Sequence, residues 1–157
     1  MVKNIVIIGG GITGCAIARN LSRYQNLNIH LIEKEPDVGW GATKANTGIL
    51  HPGHEDDPTR FPLRSKFCVR GNALWKTLSH ELDIPTTWPG ELMIARDEHE
   101  KKELKRYLTI GKENGVKDLR IINASQISDL EPQCTDDAIA ALWAPSAGLI
   151  EPWEATI

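Results

Sequence analysis

Apolar residues near the N-terminus form two short runs that are separated by a helical pattern. The first run, residues 2–8, is rich in β-branched side chains, which is typical of a buried parallel strand. Residues 12–24 place small and apolar side chains on one helical face, and residues 27–32 form the second run. The pattern therefore predicts a β-α-β unit whose two strands are parallel.

The pattern changes along the rest of the chain to short strands and amphipathic helices. A helix predicted at residues 63–82 has four leucine or phenylalanine residues among its apolar positions: Phe67, Leu74, Leu78 and Leu82. We expect Asp97 to cap the next helix, Gly115 to end it, and Ser125 to cap a third. The predicted helices cover residues 97–114 and 124–130, and the predicted extended segments cover residues 48–51, 88–95, 119–122, 138–144 and 147–150. We interpret this order as a nucleotide-binding layer followed by the start of a cap domain.

Composition narrows the class of protein. The chain has 157 residues, of which 41% are hydrophobic and 25% are charged, and its net charge is −3. A mildly acidic chain gives no reason to expect a nucleic acid or an anionic membrane as partner. No apolar run is long enough to span a bilayer, and the three cysteines are too widely spaced for zinc or a disulfide framework. We expect a globular protein in the cytoplasm.

A glycine-rich turn joins the first predicted strand to the first helix. Gly9 allows a sharp turn, Gly11 lets the backbone approach a pyrophosphate, and Gly14 lets the helix pack closely on the strand. Glu33 follows 19 residues after Gly14, where its carboxylate can accept hydrogen bonds from a ribose. The spacing predicts a dinucleotide site, with a β-α-β unit without ligand as the alternative. Glu33 alone would suit a nicotinamide cofactor equally well.

A second motif, GATKANTGILHPG, occupies residues 41–53 and is too polar and glycine-rich for an ordinary helix. It is followed by further acidic residues, so that imidazole and carboxylate groups cluster at His51, His54, Glu55, Asp56 and Asp57. Such a cluster is compatible with a metal ion. Because no distant set of ligands accompanies it, we expect a solvated acidic loop and no metal site.

Together these motifs resemble the FAD-dependent oxidoreductases of the D-amino-acid oxidase (DAO) superfamily. Within that superfamily, the chain is most similar to L-2-hydroxyglutarate dehydrogenases and oxidases and to FAD-linked glycerol-3-phosphate dehydrogenases. The resemblance extends along the whole chain, through GGGITG at 9–14, GATKANTGILHPG at 41–53, KFCVRG at 66–71, GELMIA at 90–95, NGV at 114–116 and LEP at 130–132.

The resemblance implies an α/β fold, in which a Rossmann-like FAD-binding unit with a parallel sheet precedes part of a mixed α+β substrate or cap domain. The implied boundaries are residues 1–85 for the first part of the FAD-binding domain, 86–145 for the cap domain, and 146–157 for a return segment. The implied cofactor is FAD, bound by Gly9, Gly11, Ile12, Thr13, Gly14, Glu33, Lys34, Thr43, Asn46, Thr47 and Gly48. His51 would lie near the isoalloxazine ring as a general base, the alternative being a loop histidine without a catalytic role.

The implied reaction is the oxidation of a small hydroxy acid or glycerol 3-phosphate by hydride transfer to the flavin. Oxidation of an amine or amino acid, and a non-catalytic incomplete subunit, are alternatives. In glycerol-3-phosphate enzymes the HxG element is commonly followed by an arginine and a tyrosine, whereas here acidic residues follow Gly53. Arg60, Arg64, Arg70 or a residue beyond this chain would then have to compensate.

The resembling family also has a later strand and a C-terminal glycine motif that 157 residues do not accommodate. We therefore expect the chain to be the N-terminal portion of a longer enzyme. Its expected partners are a small-molecule substrate, the remainder of the enzyme or a complementary subunit, and a second copy in a homo-oligomer.

Overall fold

The computed structural model describes residues 1–157, and its elements follow the order predicted from the sequence. The strands and helices are β1 (Lys3–Ile8), α1 (Ile12–Leu21), β2 (Leu27–Ile32), β3 (Ile49–Leu50), α2 (Pro62–Glu81), β4 (Thr86–Thr87), β5 (Glu91–Ala95), α3 (Glu98–Glu113), β6 (Arg120–Asn123), α4 (Ala124–Leu130), β7 (Ala140–Ala144), β8 (Gly148–Ile150) and a 3-10 helix, η1 (Glu154–Thr156). None of the helices combines the length and the apolar character that a membrane-spanning segment needs.

The chain forms two compact units. The first unit comprises residues 1–48, 82–85 and 150–157, and the second unit comprises residues 49–81 and 86–149. The two units are defined by the contacts that residues of this chain make with one another. The domain boundaries expected after residues 85 and 145 remain a prediction for the complete protein.

The first unit contains the predicted β-α-β arrangement. β1 and β2 are parallel and in register from Lys3 opposite Leu27 to Ile8 opposite Ile32. Helix α1 packs on one face of this pair, and η1 packs against α1. The parallel pair and its helix give the unit its Rossmann-like α/β character.

The expectation of a buried first strand is wrong for one of its faces. Within β1, Ile5 and Ile7 are partly buried, whereas Val6 is 55% exposed and Ile8 is 87% exposed. Side chains alternate between the two faces of a strand, and α1 covers only one face of the sheet. The β-branched composition predicted the strand correctly but did not reveal this exposed face.

The second unit is organised around the antiparallel sheet β5-β7-β6. The central strand β7 is buried on both faces because its side chains alternate. Its residues Ala140, Leu142 and Ala144 pack in one cluster with Leu104 of α3. On the other face, Ala141 packs in a second cluster with Ile122, Ile127 and Ala138. Two apolar layers therefore fix the register of this sheet.

Helix α2 departs from the predicted amphipathic pattern. Its buried residues are polar, namely Ser65, Asn72 and Ser79. Phe67 and Leu74, which were among its apolar positions, are each 60% exposed. Two of these polar residues bond to other segments of the second unit. The Ser65 hydroxyl donates to Oδ1 of Asn114 at 2.7 Å, and Asn72 donates to the carbonyl oxygens of Leu50 and Ser146.

The helix caps are partly as predicted. Asp97 caps α3 by accepting a hydrogen bond from the N–H of Glu100 at 2.8 Å, and Gly115 follows the helix with φ +82°. Ser125 is not the cap of α4. Asn123 caps that helix in a reciprocal capping box with Gln126, because the helix begins directly after β6 and an asparagine side chain already occupies the capping position.

Candidate active site

The glycine turn between β1 and α1 has the close packing that its spacing predicts. Gly9 has φ +104°, a conformation that disfavours side chains. A Cβ on Gly14 would lie 1.9 Å from the carbonyl oxygen of Gly9 and would also touch Ile7. No residue with a side chain fits at Gly14 unless the turn moves, so the helix approaches the strand only because a glycine stands there.

Glu33 closes this turn with its carboxylate. Its Oε2 accepts a hydrogen bond from the N–H of Gly10 at 2.6 Å, and its Oε1 accepts from Lys34 at 2.7 Å and Glu35 at 3.0 Å. The N–H groups of Glu35 and Gly10 contribute most to holding the pKa of Glu33 below its ordinary value. A carboxylate offers about four lone-pair sites, so Oε2 retains an acceptor position for a ribose hydroxyl.

The polar loop that follows β2 is tied to the same turn through Thr43. The Thr43 hydroxyl accepts a hydrogen bond from the N–H of Ile12 at 3.1 Å. Asn46 organises the loop itself, because its Nδ2 donates to the carbonyl of Thr43 and its Oδ1 accepts from the N–H of Gly48 at 2.8 Å. The predicted residues Gly14, Glu33 and Thr43 therefore surround one turn, while the Asn46 amide is used within its own loop.

These residues fit the pyrophosphate and ribose of a dinucleotide. Helix α1 has Gly11 as its N-cap and no side-chain cap, so its N-terminal N–H groups are not all satisfied by the protein. Helix N-termini of this kind favour phosphate through both hydrogen bonds and the helix dipole. Thr13 and Thr47 are exposed, and Lys34 forms an ion pair with Glu35 at 3.2 Å. Roles for these three residues stay predictions.

His51 belongs to the second unit and lies in a cluster of imidazole and carboxylate groups. Its Nδ1 is 3.5 Å from Oε2 of Glu91 and 3.7 Å from Oε2 of Glu55. Nε2 of His54 is 3.6 Å from the other oxygen of Glu91. The His51 side chain is 38% exposed, so it is reachable by a small molecule, whereas the His54 side chain is only 1% exposed.

Four side chains outside this cluster hold the segment that carries His51. Asn72 donates to the carbonyl oxygen of Leu50 at 2.8 Å, and the Cys68 thiol donates to the carbonyl oxygen of His51 at 3.4 Å.

Asn114 donates to the carbonyl oxygens of Gly53 at 2.7 Å and Asp56 at 2.8 Å. Arg64 forms an ion pair with the carboxylate of Asp56, with its Nε 2.6 Å from Oδ1. These contacts hold the segment at both of its ends.

The expectation of a solvated acidic loop is therefore wrong for two of its members. His54 is 1% exposed and Asp56 is 7% exposed. Burial of Asp56 is offset by its bond to Arg64, and this pairing places a cation beside a carboxylate that would otherwise be costly to bury. Glu55 is the exposed member of the segment.

The charges of the cluster act on one another. The Glu91 carboxylate makes the largest contribution to raising the pKa of His51 above its ordinary value, with further contributions from Glu55 and Asp56 against the effect of burial. Burial lowers the pKa of His54 and outweighs the nearby carboxylates. For Glu91, burial alone would raise the pKa, but His51 and His54 lower it overall. His51 is thus the imidazole of the pair that takes up a proton more readily.

Sequence reasoning missed Glu91, Asn72 and Asn114 as parts of the site. Glu91 and Asn114 are in motifs that carried the family resemblance, but nothing in their local sequence indicated contact with the His51 segment. Asn72 lies in the predicted helix, but its burial, which makes its amide need partners, follows only from the fold. Side-chain atoms of His51, Glu55 and Glu91 also lie within 4.8 Å of one another, close enough for shared metal ligation. The absence of a metal stays a prediction.

Comparison with known proteins shows which family the chain resembles. The family model described as FAD dependent oxidoreductase (DAO) matches residues 4–157. A glycerol 3-phosphate dehydrogenase of Caloramator mitchellensis is 42% identical over 98% of this chain and 32% of its own length. A mitochondrial L-2-hydroxyglutarate dehydrogenase of Caenorhabditis briggsae is 34% identical over 94% of this chain and 33% of its own length.

A solved structure gives the same result for the fold. The FAD-bound, dithionite-reduced L-alpha-glycerophosphate oxidase of Mycoplasma pneumoniae superposes with a TM-score of 0.88 and 27% identity, over 99% of this chain and 41% of that chain. The chain thus spans about a third of the length of the two curated relatives. On the match of its sequence along nearly its whole length and on its fold, the chain belongs to the FAD dependent oxidoreductase (DAO) family, whose cofactor is FAD.

Proposed function

We propose that the complete protein oxidises a secondary alcohol that lies next to an anionic group, as in a small hydroxy acid or glycerol 3-phosphate. Bound FAD supplies the two-electron oxidant that takes the hydride from the carbon of the alcohol. The residues of this chain have two tasks, which are to hold the dinucleotide in the first unit and to accept the hydroxyl proton in the second unit.

The observation that carries the proposal is the environment of His51. Two carboxylates face its Nδ1, at 3.5 and 3.7 Å, and its ring is partly exposed. A carboxylate accepts hydrogen bonds and stabilises the imidazolium form, so the ring is suited to take up a proton. Oxidation of an alcohol requires loss of the hydroxyl proton as the hydride departs, and the product is a ketone. We assign the uptake of that proton to Nε2 of His51.

The charges of the second unit bear on the anionic part of the substrate. Arg64 is bonded to Asp56, so its charge is already compensated within the second unit. Glu55 and Glu91 make the surroundings of His51 acidic. A phosphate would therefore need cations other than Arg64, and a hydroxy acid with a single charge beside the alcohol meets less repulsion at this point. The two relatives described above support both substrate types.

Anaerobic reduction of the flavin tests the proposal directly. The complete protein, purified with FAD, should lose its oxidised flavin absorbance on addition of glycerol 3-phosphate or L-2-hydroxyglutarate. Glycerol is the matched control without an anionic group, and D-2-hydroxyglutarate is the matched control of opposite configuration. Both controls should reduce the flavin much more slowly than the favoured substrate.

Two outcomes would contradict the proposal. If glycine or proline reduced the flavin while the hydroxy compounds did not, oxidation of a C–N bond would replace it. If no hydroxy compound of the panel reduced a fully FAD-loaded protein, the proposed substrate chemistry would be wrong. Location in the cytoplasm stays a prediction from the sequence alone.

A further inference from the structure

The carboxylate of Glu91 lies between two imidazole rings and uses a different oxygen for each. Oε2 is 3.5 Å from Nδ1 of His51, and Oε1 is 3.6 Å from Nε2 of His54. Nδ1 of His51, both ring nitrogens of His54 and Oε2 of Glu91 are buried and have no hydrogen-bond partner within normal distance. Buried polar groups of native proteins nearly always have partners. Of these orphaned atoms, Nδ1 of His51 and Oε2 of Glu91 face each other, and Nε2 of His54 faces the other oxygen of Glu91.

We propose that Glu91 is the positioning residue of the active site, which holds the proton of neutral His51 on Nδ1 and so leaves Nε2 as the base. This inference rests on the proposed function for its catalytic meaning. Its structural content is the contact between Glu91 and His51, which is testable without any substrate. Small closure of the two 3.5–3.6 Å separations would produce ordinary N–H···O hydrogen bonds.

The chemistry of the two rings supports this assignment. An ionised carboxylate only accepts hydrogen bonds, so the ring nitrogen that faces it must carry the proton. Neutral imidazole has a single N–H, and the proton held on Nδ1 of His51 leaves the lone pair on Nε2. His54 presents Nε2 to Glu91 and therefore donates from that nitrogen. Glu91 thus accepts from both rings, and its charge stabilises the imidazolium that forms when His51 takes up a proton.

Glu55 is a weaker candidate for the same task, although its Oε2 lies 3.7 Å from Nδ1 of His51. Its side chain is 44% exposed, whereas that of Glu91 is 19% exposed. Interactions between exposed charges are screened by water and contribute little. Glu91 is also held by a sheet, since it is paired with Ala144 of the buried strand β7.

The fold fixes Glu91 and one of its two partners, His54. Gly90 has φ +82°, and a Cβ there would lie 2.0 Å from the ring of Trp143, so the chain enters β5 directly beneath that ring. His54 packs against Gly111 of α3, where a Cβ would come within 2.8 Å of the Cβ of His54. The carboxylate and the buried imidazole behind it are therefore held by two different elements of the second unit.

Nitrogen-15 NMR of histidine-labelled complete protein tests the contact itself. His51→Gln assigns the His51 resonances, and the spectrum is recorded above the pKa of His51. The wild-type protein should show His51 protonated at Nδ1 and unprotonated at Nε2. In Glu91→Gln the pKa of His51 should fall and the Nε2-protonated form should increase. Glu55→Gln, the matched control, should leave the His51 tautomer unchanged.

The kinetics of flavin reduction then test the role of Glu91 in catalysis. The rate of anaerobic flavin reduction should rise with pH as His51 loses its proton. In Glu91→Gln the midpoint should move to lower pH, and the rate at high pH should fall by about tenfold to a hundredfold, as for other partners that orient a functional imidazole. The KM should change less than kcat, and Glu91→Asp should restore part of the rate.

The results separate this inference from the proposed function. A wild-type reduction rate in His51→Gln would remove the base but would not alter the NMR result on the Glu91 contact. An unchanged His51 tautomer and pKa in Glu91→Gln would overturn the inference, and so would a tautomer shift produced by Glu55→Gln alone. A stoichiometric divalent metal in the purified protein, whose removal by chelator changes the His51 resonances, would also overturn it.

Discussion

The two units bury their apolar side chains to very different extents. Of the fifteen buried apolar residues, only Ile84 belongs to the first unit. The second unit has an antiparallel sheet packed on both faces, while the first has a parallel strand pair covered by a helix on one face. The first unit is therefore organised mainly by its glycine turn and polar contacts, and the second by its core.

The helix termini show the same difference. In the second unit, α3 and α4 begin with side-chain caps, from Asp97 and Asn123. Helix α1 of the first unit begins at Gly11 without one. A missing cap leaves backbone donors unsatisfied, which reduces stability but suits a bound phosphate. The second unit is therefore built for packing, whereas the first keeps polar groups available for a ligand.

The largest expected effect is in the core of the second unit. Leu142→Ala removes a side chain that is 1% exposed and packed in the cluster with Leu104. Truncation of such a leucine costs about 2–5 kcal/mol through lost burial and a residual cavity. Leu130→Ala, at a position 47% exposed, is the matched control and should cost about 0.5 kcal/mol or less. The free energy of unfolding of both variants is measured in urea. Equal losses of this free energy would contradict the assignment of Leu142 to the core.

The next effect concerns the turn of the first unit. Gly14→Ala places a Cβ 1.9 Å from the Gly9 carbonyl oxygen and must displace the turn. FAD binding should weaken by about tenfold or more, which corresponds to about 1.4 kcal/mol, as measured by equilibrium titration of FAD. Gly71→Ala in α2 is the control, because its Cβ would meet nothing within 4 Å. Unchanged FAD affinity in Gly14→Ala would contradict the proposed site.

A smaller effect is expected where α3 begins. Asp97→Ala removes the acceptor for the N–H of Glu100 and should destabilise the protein by about 1 kcal/mol. Asp97→Asn retains a side-chain oxygen and should lose much less. The free energy of unfolding of the three proteins checks the prediction. If the asparagine and alanine variants were equally destabilised, the cap would not explain the loss.

The smallest effect concerns the acid dependence of the first unit. Because backbone N–H groups lower the pKa of Glu33 in the folded protein, its stabilising contribution is present above the ordinary carboxyl pKa. That contribution is lost as the pH falls through the lowered pKa. FAD retention should therefore decline at acid pH, and Glu33→Gln should flatten this part of the profile. A wild-type profile in Glu33→Gln would assign the acid loss to other groups.

Local patterns predicted the elements whose causes are local. The strand runs, the glycine turn, the Asp97 cap and the helix at Ala124–Leu130 all follow from neighbouring residues. The pattern of apolar residues in helix α2 did not predict which of its residues are buried. Asn72 is buried because its amide bonds to the carbonyl oxygens of Leu50 and Ser146, which are 22 and 74 residues away in the chain. Apolar periodicity does not report such partners.

The residues of the candidate site also include some that local motifs predict and others that only the fold brings together. Gly14 and Glu33 could be named from the spacing that a dinucleotide site would impose, and Thr43 from the family resemblance of the second motif. Glu91 could not, since it meets His51 only through the fold, 40 positions further along the chain. The burial of His54 likewise depends on α3, which lies far from it in sequence. The residues that the motifs did not predict are thus mostly those that long-range contacts between polar groups bring into the site.

FAD retention and anaerobic flavin reduction of the complete protein are compared in Gly14→Ala and His51→Gln. We propose that the first unit binds the cofactor and that the second takes up the proton. His51→Gln should therefore retain FAD. Its flavin should be reduced by the substrate at least about a hundredfold more slowly than in the wild-type protein, because a general base is lost. Gly14→Ala should instead bind FAD more weakly, by about tenfold or more. If His51→Gln reduced its flavin at the wild-type rate, the division of tasks between the two units would be contradicted.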